Sequence, residues 1–436
     1  MDTALLASIA LLGGFVLLML LRVPVSFSLI LSTAASALIF YRGNMVMITT
    51  LLQQMVKGVD SFSLLSIPFF IIAGEIMGSG GISDRLIRFA NLLVGWMPGG
   101  LAMVNCLASM LFGGISGSAV ADVSSLGTML IPMMKKQGYD DDFSVGITVT
   151  SACQGVLIPP SHNMVIYALA AGGGISIGKM FMGGLIPGVL LGIALMVVCY
   201  ILAIKRHYPK SERFTRKEVP KVILDGILPM MTMVIIIGGV TAGICTATEA
   251  AAIACVYAFI IAFFVIREVK FRDLGRILCN SLKTLAIVLT LIAAAKAFAW
   301  MMTVLRIPDN ITAALIGVTD NKYLLLFIIN VLLLVLGCVM DMAPLILIMT
   351  PILFPVCVTT LGMDPIHFGV MLIFNLAIGL CTPPVGSALF VGCAIGKTPI
   401  ERTSKNMLPL FAVMVVMLLL ITYVPAVTML VPNMMG

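Results

Sequence analysis

The stretch Ile158-Pro159-Pro160-Ser161-His162-Asn163 has a counterpart 224 residues later, in Thr382-Pro383-Pro384-Val385-Gly386-Ser387. At the same spacing, a second pair matches: Gly113-Gly114-Ile115-Ser116-Gly117-Ser118-Ala119 and Gly337-Cys338-Val339-Met340-Asp341-Met342-Ala343. The spacing is close to half of the 436 residues, so it predicts two related halves, 1–218 and 219–436. In a membrane protein, hydrophobic segments interrupted at corresponding positions of two repeats indicate a transporter binding site.

The composition is that of a membrane protein. Hydrophobic residues make up 61% of the chain and charged residues 10%, with a mean hydropathy of +1.16, which no soluble domain of this size matches. Leu5–Leu21 lacks the basic start and the cleavage site of a signal peptide, so we interpret it as a retained span. Apolar stretches long enough to cross a bilayer recur, most clearly in Leu5–Leu21, Phe181–Ile204, Val222–Val240, Ala250–Ile266, Leu285–Leu305 and Leu408–Val431.

Basic loops predict the orientation of these spans, because loops rich in lysine and arginine stay in the cytoplasm. The linker 205–221 carries seven basic residues, and two further basic points lie at Arg85–Arg88 and Lys135–Lys136. The net charge of +7 follows from such loops and requires no nucleic acid as partner. Ten cysteines occur singly and without a CxxC pair, which argues against a zinc site or a disulfide framework.

The same orientation rule predicts two re-entrant helical hairpins and two broken helices. The first hairpin covers about 100–134, begins and ends inside, and turns near Gly113–Ser118; the first broken helix covers about 143–171. In the second half a hairpin at about 324–358 is entered from outside, and a broken helix covers about 368–395. We therefore predict an all-α polytopic membrane protein with an inverted repeat and with both termini in the periplasm.

Such breaks leave backbone groups unpaired at bilayer depth, which is tolerated only where they are buried in protein or line a polar cavity. Consecutive prolines cannot continue a helix. Free carbonyls at a break can bind a small cation, and helix N-termini can bind an anion. We expect the two hairpin tips and the two breaks to converge on one site, with Ser116 and Asp341 within about 20 Å, roughly two helix diameters.

The chain resembles the large membrane subunit, the DctM-like M subunit, of tripartite ATP-independent periplasmic (TRAP) transporters. The resemblance covers essentially the whole chain and rests on four motifs: Asp60-Ser61-Phe62 with Ile67–Gly74, Gly113–Asp122, Gly238-Gly239 with Thr246–Ala251, and Gly379–Gly386. It implies an elevator-type transporter of the bacterial inner membrane that imports an organic acid anion, such as a sugar acid, sialic acid or a C4-dicarboxylate, with sodium as coupling ion.

The resemblance also implies partners: a separate small four-helix membrane subunit (Q type), a soluble periplasmic substrate-binding protein and the lipid bilayer. No other cofactor is expected. Sodium is a hard cation that prefers oxygen ligands, so we assign it to Gly114, Ser116, Ser118, Ile158 and Pro159 in the first half. In the second half we assign it to Gly337, Asp341, Ala343, Thr382, Pro383 and Gly386. The substrate is assigned to Ser116, Ser161, Asn163, Asp341 and Thr382.

Several polar residues have both a functional and a structural interpretation. Asp341 is an intramembrane acid but could cap a helix, and Asp122 could do the same near a helix N-terminus. Glu249 lies at capping-box spacing after Thr246, which favours a structural role. Lys296 lies inside a predicted span, where Glu75 is a conceivable partner. The role of His162 stays open between binding and packing.

Other classes of function fit less well. A channel usually gathers identical loops around a shared axis. An enzyme would need a catalytic motif such as HExxH or GxSxG, which is absent. The alternative within transporters is a stand-alone sodium–dicarboxylate symporter. In the elevator interpretation the hairpins and broken helices move against a static scaffold, which we expect to contain Leu5–Leu21, Ser26–Phe40, Val222–Val240 and Ala250–Ile266, since these spans lack interruptions.

Overall fold

The computed structural model describes residues 3–42, 44, 46–79, 81–211, 214–319 and 321–435. Within these ranges the chain is helical and contains no strand, which confirms the all-α fold. Helices satisfy every backbone polar group internally, as the apolar composition requires in lipid. The first half contains α1 (Thr3–Leu20), α2 (Val25–Phe40), α3 (Val46–Val59), α4 (Ser66–Ser79), α5 (Ile82–Val94), α6 (Gly100–Ser116), α7 (Ala119–Ser125), α8 (Gly127–Lys136), α9 (Asp141–Gly155), α10 (His162–Ala170) and α11 (Ile177–Lys205).

The second half repeats this order with local differences. Its helices are α12 (Val219–Thr241), α13 (Ala247–Ile260), α14 (Leu274–Val304), α15 (Ile307–Val318), α16 (Lys322–Gly337), α17 (Met342–Phe354), α18 (Pro365–Gly379), α19 (Ser387–Gly396), α20 (Ile400–Asn406), α21 (Leu408–Tyr423) and α22 (Ala426–Met434). Two π-helical turns, Ile261–Ile266 and Pro355–Thr360, extend α13 and α17. Both hairpins and both broken helices therefore correspond to pairs of helices: α6 with α7–α8, α9 with α10, α16 with α17, and α18 with α19.

Seven helices in the described residues are long and apolar enough to cross a membrane, and α20 with α21 forms a further candidate bent by 60°. One predicted boundary is wrong. The span expected over Leu408–Val431 ends at Tyr423, because Val424 and Pro425 interrupt it before the short helix α22. Pro425 has no backbone N–H to continue the helical hydrogen bonds.

The helices expected to form a scaffold lie on the outside of the molecule. Helix α1 packs on α2 and α12 packs on α13, while the long helix α14 contacts α2, α3 and α4. Only 17% of the residues of α1 are buried, and side chains such as Leu17, Leu224 and Val256 are more than half exposed. Such faces match lipid or another membrane helix. We call α1–α5 and α12–α15 the scaffold.

The first helices of the two broken spans form the centre of the other group of helices. Every residue of α9 from Asp142 to Gly155 is buried, as is every residue of α18 from Ile366 to Gly379. The two helices meet where the thiols of Cys153 and Cys381 lie 2.7 Å apart. Helix α10 packs on α17 of the other half, and α19 packs on α7 and α9. We call α6–α11 and α16–α22 the transport unit, because its two halves interlock.

The end of the transport unit that is predicted to be cytoplasmic is joined by polar contacts across the two halves. Asp142 at the start of α9 accepts hydrogen bonds from Arg402, from Thr403 (3.2 Å) and from Asn406 (3.3 Å) in α20. Arg206 after α11 forms an ion pair of 2.7 Å with Asp140. The bend between α20 and α21 therefore brings a polar helix against the start of the first broken helix.

Candidate functional site

In each half, the hairpin crosses the broken helix at a pair of glycines. A methyl group placed on Gly113 would overlap the Cα atom of Gly155, and one on Gly337 would lie 3.2 Å from the Cα atom of Gly379. Each pair is separated by 42 residues, and the two pairs are 224 residues apart. Only a residue without a side chain permits this approach of two backbones. The crossings hold each hairpin tip against the break of its own half.

The first tip closes directly onto the first break. Helix α6 ends at Ser116, and Gly117 turns the chain with a φ of +60°. A side chain at Gly117 would lie 2.7 Å from the carbonyl oxygen of Pro160 and 2.9 Å from the Cα atom of Ser161. The hydroxyl of Ser118 caps α7 by accepting from Ala121 at 3.4 Å. The tip thus presents backbone and hydroxyl oxygens to the carbonyls of the break.

A cavity of about 510 Å³ lies between this first tip and the scaffold. Ser116, Ser118 and His162 line it from the transport unit, and Gly74 and Glu75 of α4 line it from the scaffold. Helix α14 contributes two further lining residues, Thr284 and Val288. The cavity is therefore bounded by both groups of helices and offers polar atoms on both sides.

The second tip has a different environment. Asp341 and Val339 at the tip, and Pro383, Pro384 and Val385 at the break, are all exposed. The tip is joined to the break by a hydrogen bond from the Val385 amide to the Cys338 carbonyl (3.0 Å). A second bond runs from the Ser387 hydroxyl to the Asp341 carboxylate (3.3 Å). A side chain at Gly386 would lie within 3.0 Å of the carbonyl oxygens of Leu380 and Thr382, so these oxygens converge on one point.

The structure thus groups the predicted site residues in two sets. Gly114, Ser116, Ser118, Ile158, Pro159, Ser161 and Asn163 belong to the first tip and break, where a methyl group on Gly114 would lie 3.3 Å from the Pro159 carbonyl oxygen. Gly337, Asp341, Ala343, Thr382, Pro383 and Gly386 belong to the second. Ser161 is fully buried and its hydroxyl has no partner among the described residues. His162 interacts electrostatically with Asp341, which links the two sets.

The matched asparagines of the hairpins fasten each one to the transport unit. Asn105 donates to Thr148 of the first broken helix at 2.6 Å. Asn330 donates to Thr422 at 3.1 Å and accepts from Asn375 of the second broken helix at 2.8 Å. All of these side chains are buried. Each hairpin is therefore bound to its own broken helix by side-chain hydrogen bonds as well as by the glycine crossing.

The ambiguous residues now have assigned surroundings. Glu249 closes a capping box with Thr246, which confirms its structural interpretation. The pairing of Glu75 with Lys296 is wrong: Glu75 accepts from Asn280 at 3.0 Å, and Lys296 lies 16 residues further along α14, about 24 Å at 1.5 Å per residue. Asp122 is fully buried and accepts from Ser109 at 3.2 Å.

Reasoning from the sequence missed part of this site. Gly155 and Gly379 stand at the same spacing as the matched motifs, so the repeat could have revealed them as the crossing partners of the hairpins. The scaffold residues Gly74 and Thr284 carry no such signal, because packing between distant segments brings them to the cavity. Within the described residues, no group of three or more His, Cys, Asp or Glu side chains could hold a metal ion.

Comparison with solved structures defines the class of protein. The fold is similar to that of the YdaH transporter of Alcanivorax borkumensis, with a TM-score of 0.64 over 87% of this chain and 88% of that chain, at 15% sequence identity. A transporter architecture agrees with the paired hairpins and breaks. Residues 12–427 match the profile of the family described as the tripartite ATP-independent periplasmic transporter, DctM component. The chain belongs to this family, and it is a transporter component and not an enzyme.

Two relatives show how much of the chain the likeness covers. The protein YgiK of Salmonella typhimurium is 43% identical over 98% of this chain and 97% of its own length. The sialic acid TRAP transporter large permease protein SiaM of Vibrio cholerae is 39% identical over 96% of this chain and 97% of its own length. The similarity thus extends through both halves, including both tips and both breaks.

Proposed function

We propose that the chain imports an organic acid anion together with sodium, by an elevator movement of the transport unit against the scaffold. The substrate class is a sugar acid, sialic acid or a C4-dicarboxylate, delivered by a soluble periplasmic binding protein. A separate small membrane subunit covers part of the exposed scaffold. The two halves are oriented oppositely in the bacterial inner membrane, and both termini are periplasmic.

The observation that carries this proposal is the repeated arrangement of tip, break and glycine crossing in the two halves. Each tip faces carbonyl oxygens that helical hydrogen bonds do not use, together with small hydroxyls. This is the ligand set that a hard cation such as sodium prefers. The first set offers Ser116, Ser118 and the carbonyl of Pro159, and the second offers Asp341 and the carbonyl of Thr382.

The elevator is supported by the way the helices group. The transport unit interlocks across the halves through α9 and α18, whereas much of its border with the scaffold is a cavity and an apolar surface. A body that is packed internally and bounded by a smoother surface can slide as a unit. A rocking movement would instead separate the halves, which the buried contact of Cys153 with Cys381 opposes.

The test is uptake into proteoliposomes that contain the chain and its small subunit. With an inward sodium gradient and a loaded binding protein, we expect concentrative uptake of the acid. Removal of the gradient or of the binding protein should abolish it. Uptake that persists without the binding protein would favour the alternative of a stand-alone sodium–dicarboxylate symporter, and uptake that ignores the sodium gradient would reject sodium coupling.

A further inference from the structure

Two lysines line a second cavity, of about 180 Å³, on the opposite side of the scaffold from the first tip. Lys57 comes from the end of α3, and Lys296 comes from α14. The other wall is formed by α17 and by Gly172 and Gly173 after α10 of the transport unit. Gly58 packs against the Lys296 stem, since a methyl group there would lie 2.8 Å from its Cβ atom. Helix α10 ends on the side that is predicted to be periplasmic.

Neither lysine has an anionic partner in the part of the chain that the structure describes. The ion pairs there involve other basic residues, and no acidic side chain lines this cavity. Lys296 lies inside the candidate membrane span Phe271–Val304, where an unpaired charge is costly and usually functional. Two positive charges that share a small cavity repel each other and attract an anion.

We propose that Lys57 and Lys296 form a binding site for the acid group, a carboxylate or a similar anion, of a small organic acid. An ammonium group offers three hydrogen-bond donors and a compact charge, which suits an acid group of any orientation. The cavity has room for such a group and its neighbouring atoms but not for a protein domain. This site rests on the proposed function, since it takes the substrate class of the transporter.

The position of the lysines along α14 gives this site a place in transport. Thr284 and Val288 of the same helix face the cavity of the first tip, and Lys296 lies 12 and 8 residues beyond them. At a rise of 1.5 Å per residue these spacings amount to about 12 to 18 Å. A movement of the transport unit by that distance along α14 would bring Ser116 and His162 from the level of Thr284 to that of Lys296. The lysines would then contact the acid group in the outward position.

The charge of the site can be tested through the reactivity of an introduced cysteine. Lys57→Cys is made in a Cys279→Ser background, because Cys279 is the exposed native cysteine of the described residues. In the complete complex, two thiol reagents of similar size are applied from outside: anionic sulfonatoethyl and cationic trimethylammonioethyl methanethiosulfonate. The parent without the introduced cysteine gives the background rate.

We expect the anionic reagent to be favoured, and Lys296→Met to lower the ratio of anionic to cationic rates by about fivefold. The matched control is Lys322→Met, because the Lys322 ammonium already donates to the Leu361 carbonyl at 2.8 Å; the ratio should not change. Succinate, used as a carboxylate probe, should slow the anionic reagent only while Lys296 is present. An unchanged ratio in Lys296→Met, or no effect of succinate, would overturn the proposal.

Uptake then separates this proposal from the proposed function. If the parent complex imports acid, Lys296→Met should raise the half-saturating concentration of the loaded binding protein about tenfold, whereas Lys322→Met should not. Equal values for the two variants would overturn the role of the lysines in transport. If the parent complex imports no acid, the proposed function fails, while the reactivity ratio and the succinate effect still decide whether the lysines bind an anion.

Discussion

The two hairpin tips are built on the same plan but lie in different surroundings. At corresponding positions, 224 residues apart, the first tip has Gly117 and the second has Asp341. Gly117 lies against the carbonyl of Pro160 beneath a scaffold that closes the cavity, whereas Asp341 is exposed and bonded to Ser387. The first tip thus binds through backbone and hydroxyls in a confined space, and the second adds a carboxylate in an open one.

The surroundings of the tips differ because the scaffold differs between the halves. In the first half, α3 and α4 are separated by a 3₁₀ turn at Phe62–Leu65. In the second half, the corresponding region is the continuous helix α14, which has 31 residues. The separate helix α4 can pack on the first hairpin, and α14 passes both cavities. A repeated structure with an unequal scaffold can cover one tip while leaving the other open.

The largest effect should come from moving the acid to the covered tip. Gly117→Asp places a side chain at a φ of +60° and within 2.7 Å of the Pro160 oxygen; the backbone strain and the clash each cost about 1–3 kcal/mol. We expect no measurable uptake and a lower unfolding temperature. Gly138→Asp is the control, since that glycine also has a positive φ but open space around it. Normal uptake by Gly117→Asp would show that the tips are interchangeable.

The next effect concerns the two glycine crossings, which should differ in their tolerance of a methyl group. Gly113→Ala forces overlap with the Gly155 backbone, whereas in Gly337→Ala the methyl group lies 3.2 Å from the Cα atom of Gly379. We expect Gly113→Ala to lose about 1–3 kcal/mol of stability and Gly337→Ala clearly less. Thermal unfolding in detergent measures both, with Gly275→Ala in open space as the reference. Equal losses would contradict the closer contact in the first half.

A smaller effect is expected from neutralising the open tip. Asp341→Asn keeps the shape of the side chain and removes its charge, so we expect the sodium concentration for half-maximal uptake to rise about tenfold, which corresponds to roughly 1.4 kcal/mol. Asp309→Asn, at an exposed position of α15, should leave this concentration unchanged. If both variants keep the parental sodium dependence, the carboxylate at the second tip is not a sodium ligand.

Much of this fold could be predicted from the sequence because the decisive signals are local. Pro159-Pro160 and Pro383-Pro384 interrupt their helices through the geometry of proline itself, and runs of apolar residues mark the spans. The repeat of 224 residues then relates one half to the other. The capping role of Glu249 was also readable, because a capping box depends on a spacing of three residues.

The remaining features could not be predicted because they depend on contacts between distant segments. Lys296 was seen as an isolated charge, and its neighbour Lys57 belongs to a helix more than 200 residues away. The contact between Cys153 and Cys381, which joins the halves, likewise has no local pattern. The open second tip and the covered first tip have similar sequences, so their difference in exposure comes from the scaffold.

The elevator can be tested most directly by joining the covered hairpin to the scaffold. Gly78 of α4 and Ser125 of α7 are suited to a disulfide, because a Cβ atom at Gly78 would lie 3.6 Å from the Ser125 hydroxyl oxygen, within the reach of a cysteine pair. A matched pair within the scaffold is Gly14 and Ser32, where a Cβ atom at Gly14 would lie 3.7 Å from the Ser32 Cβ atom. Uptake is measured for both double-cysteine variants, oxidised and then reduced.

Oxidation of the Gly78→Cys/Ser125→Cys variant should stop uptake, and reduction should restore it, because the first hairpin must leave α4 in every cycle. Oxidation of the Gly14→Cys/Ser32→Cys variant should have no effect, since both positions lie in the static scaffold. Full uptake by the completely oxidised Gly78→Cys/Ser125→Cys protein would show that the covered tip does not move against the scaffold, and it would contradict the elevator.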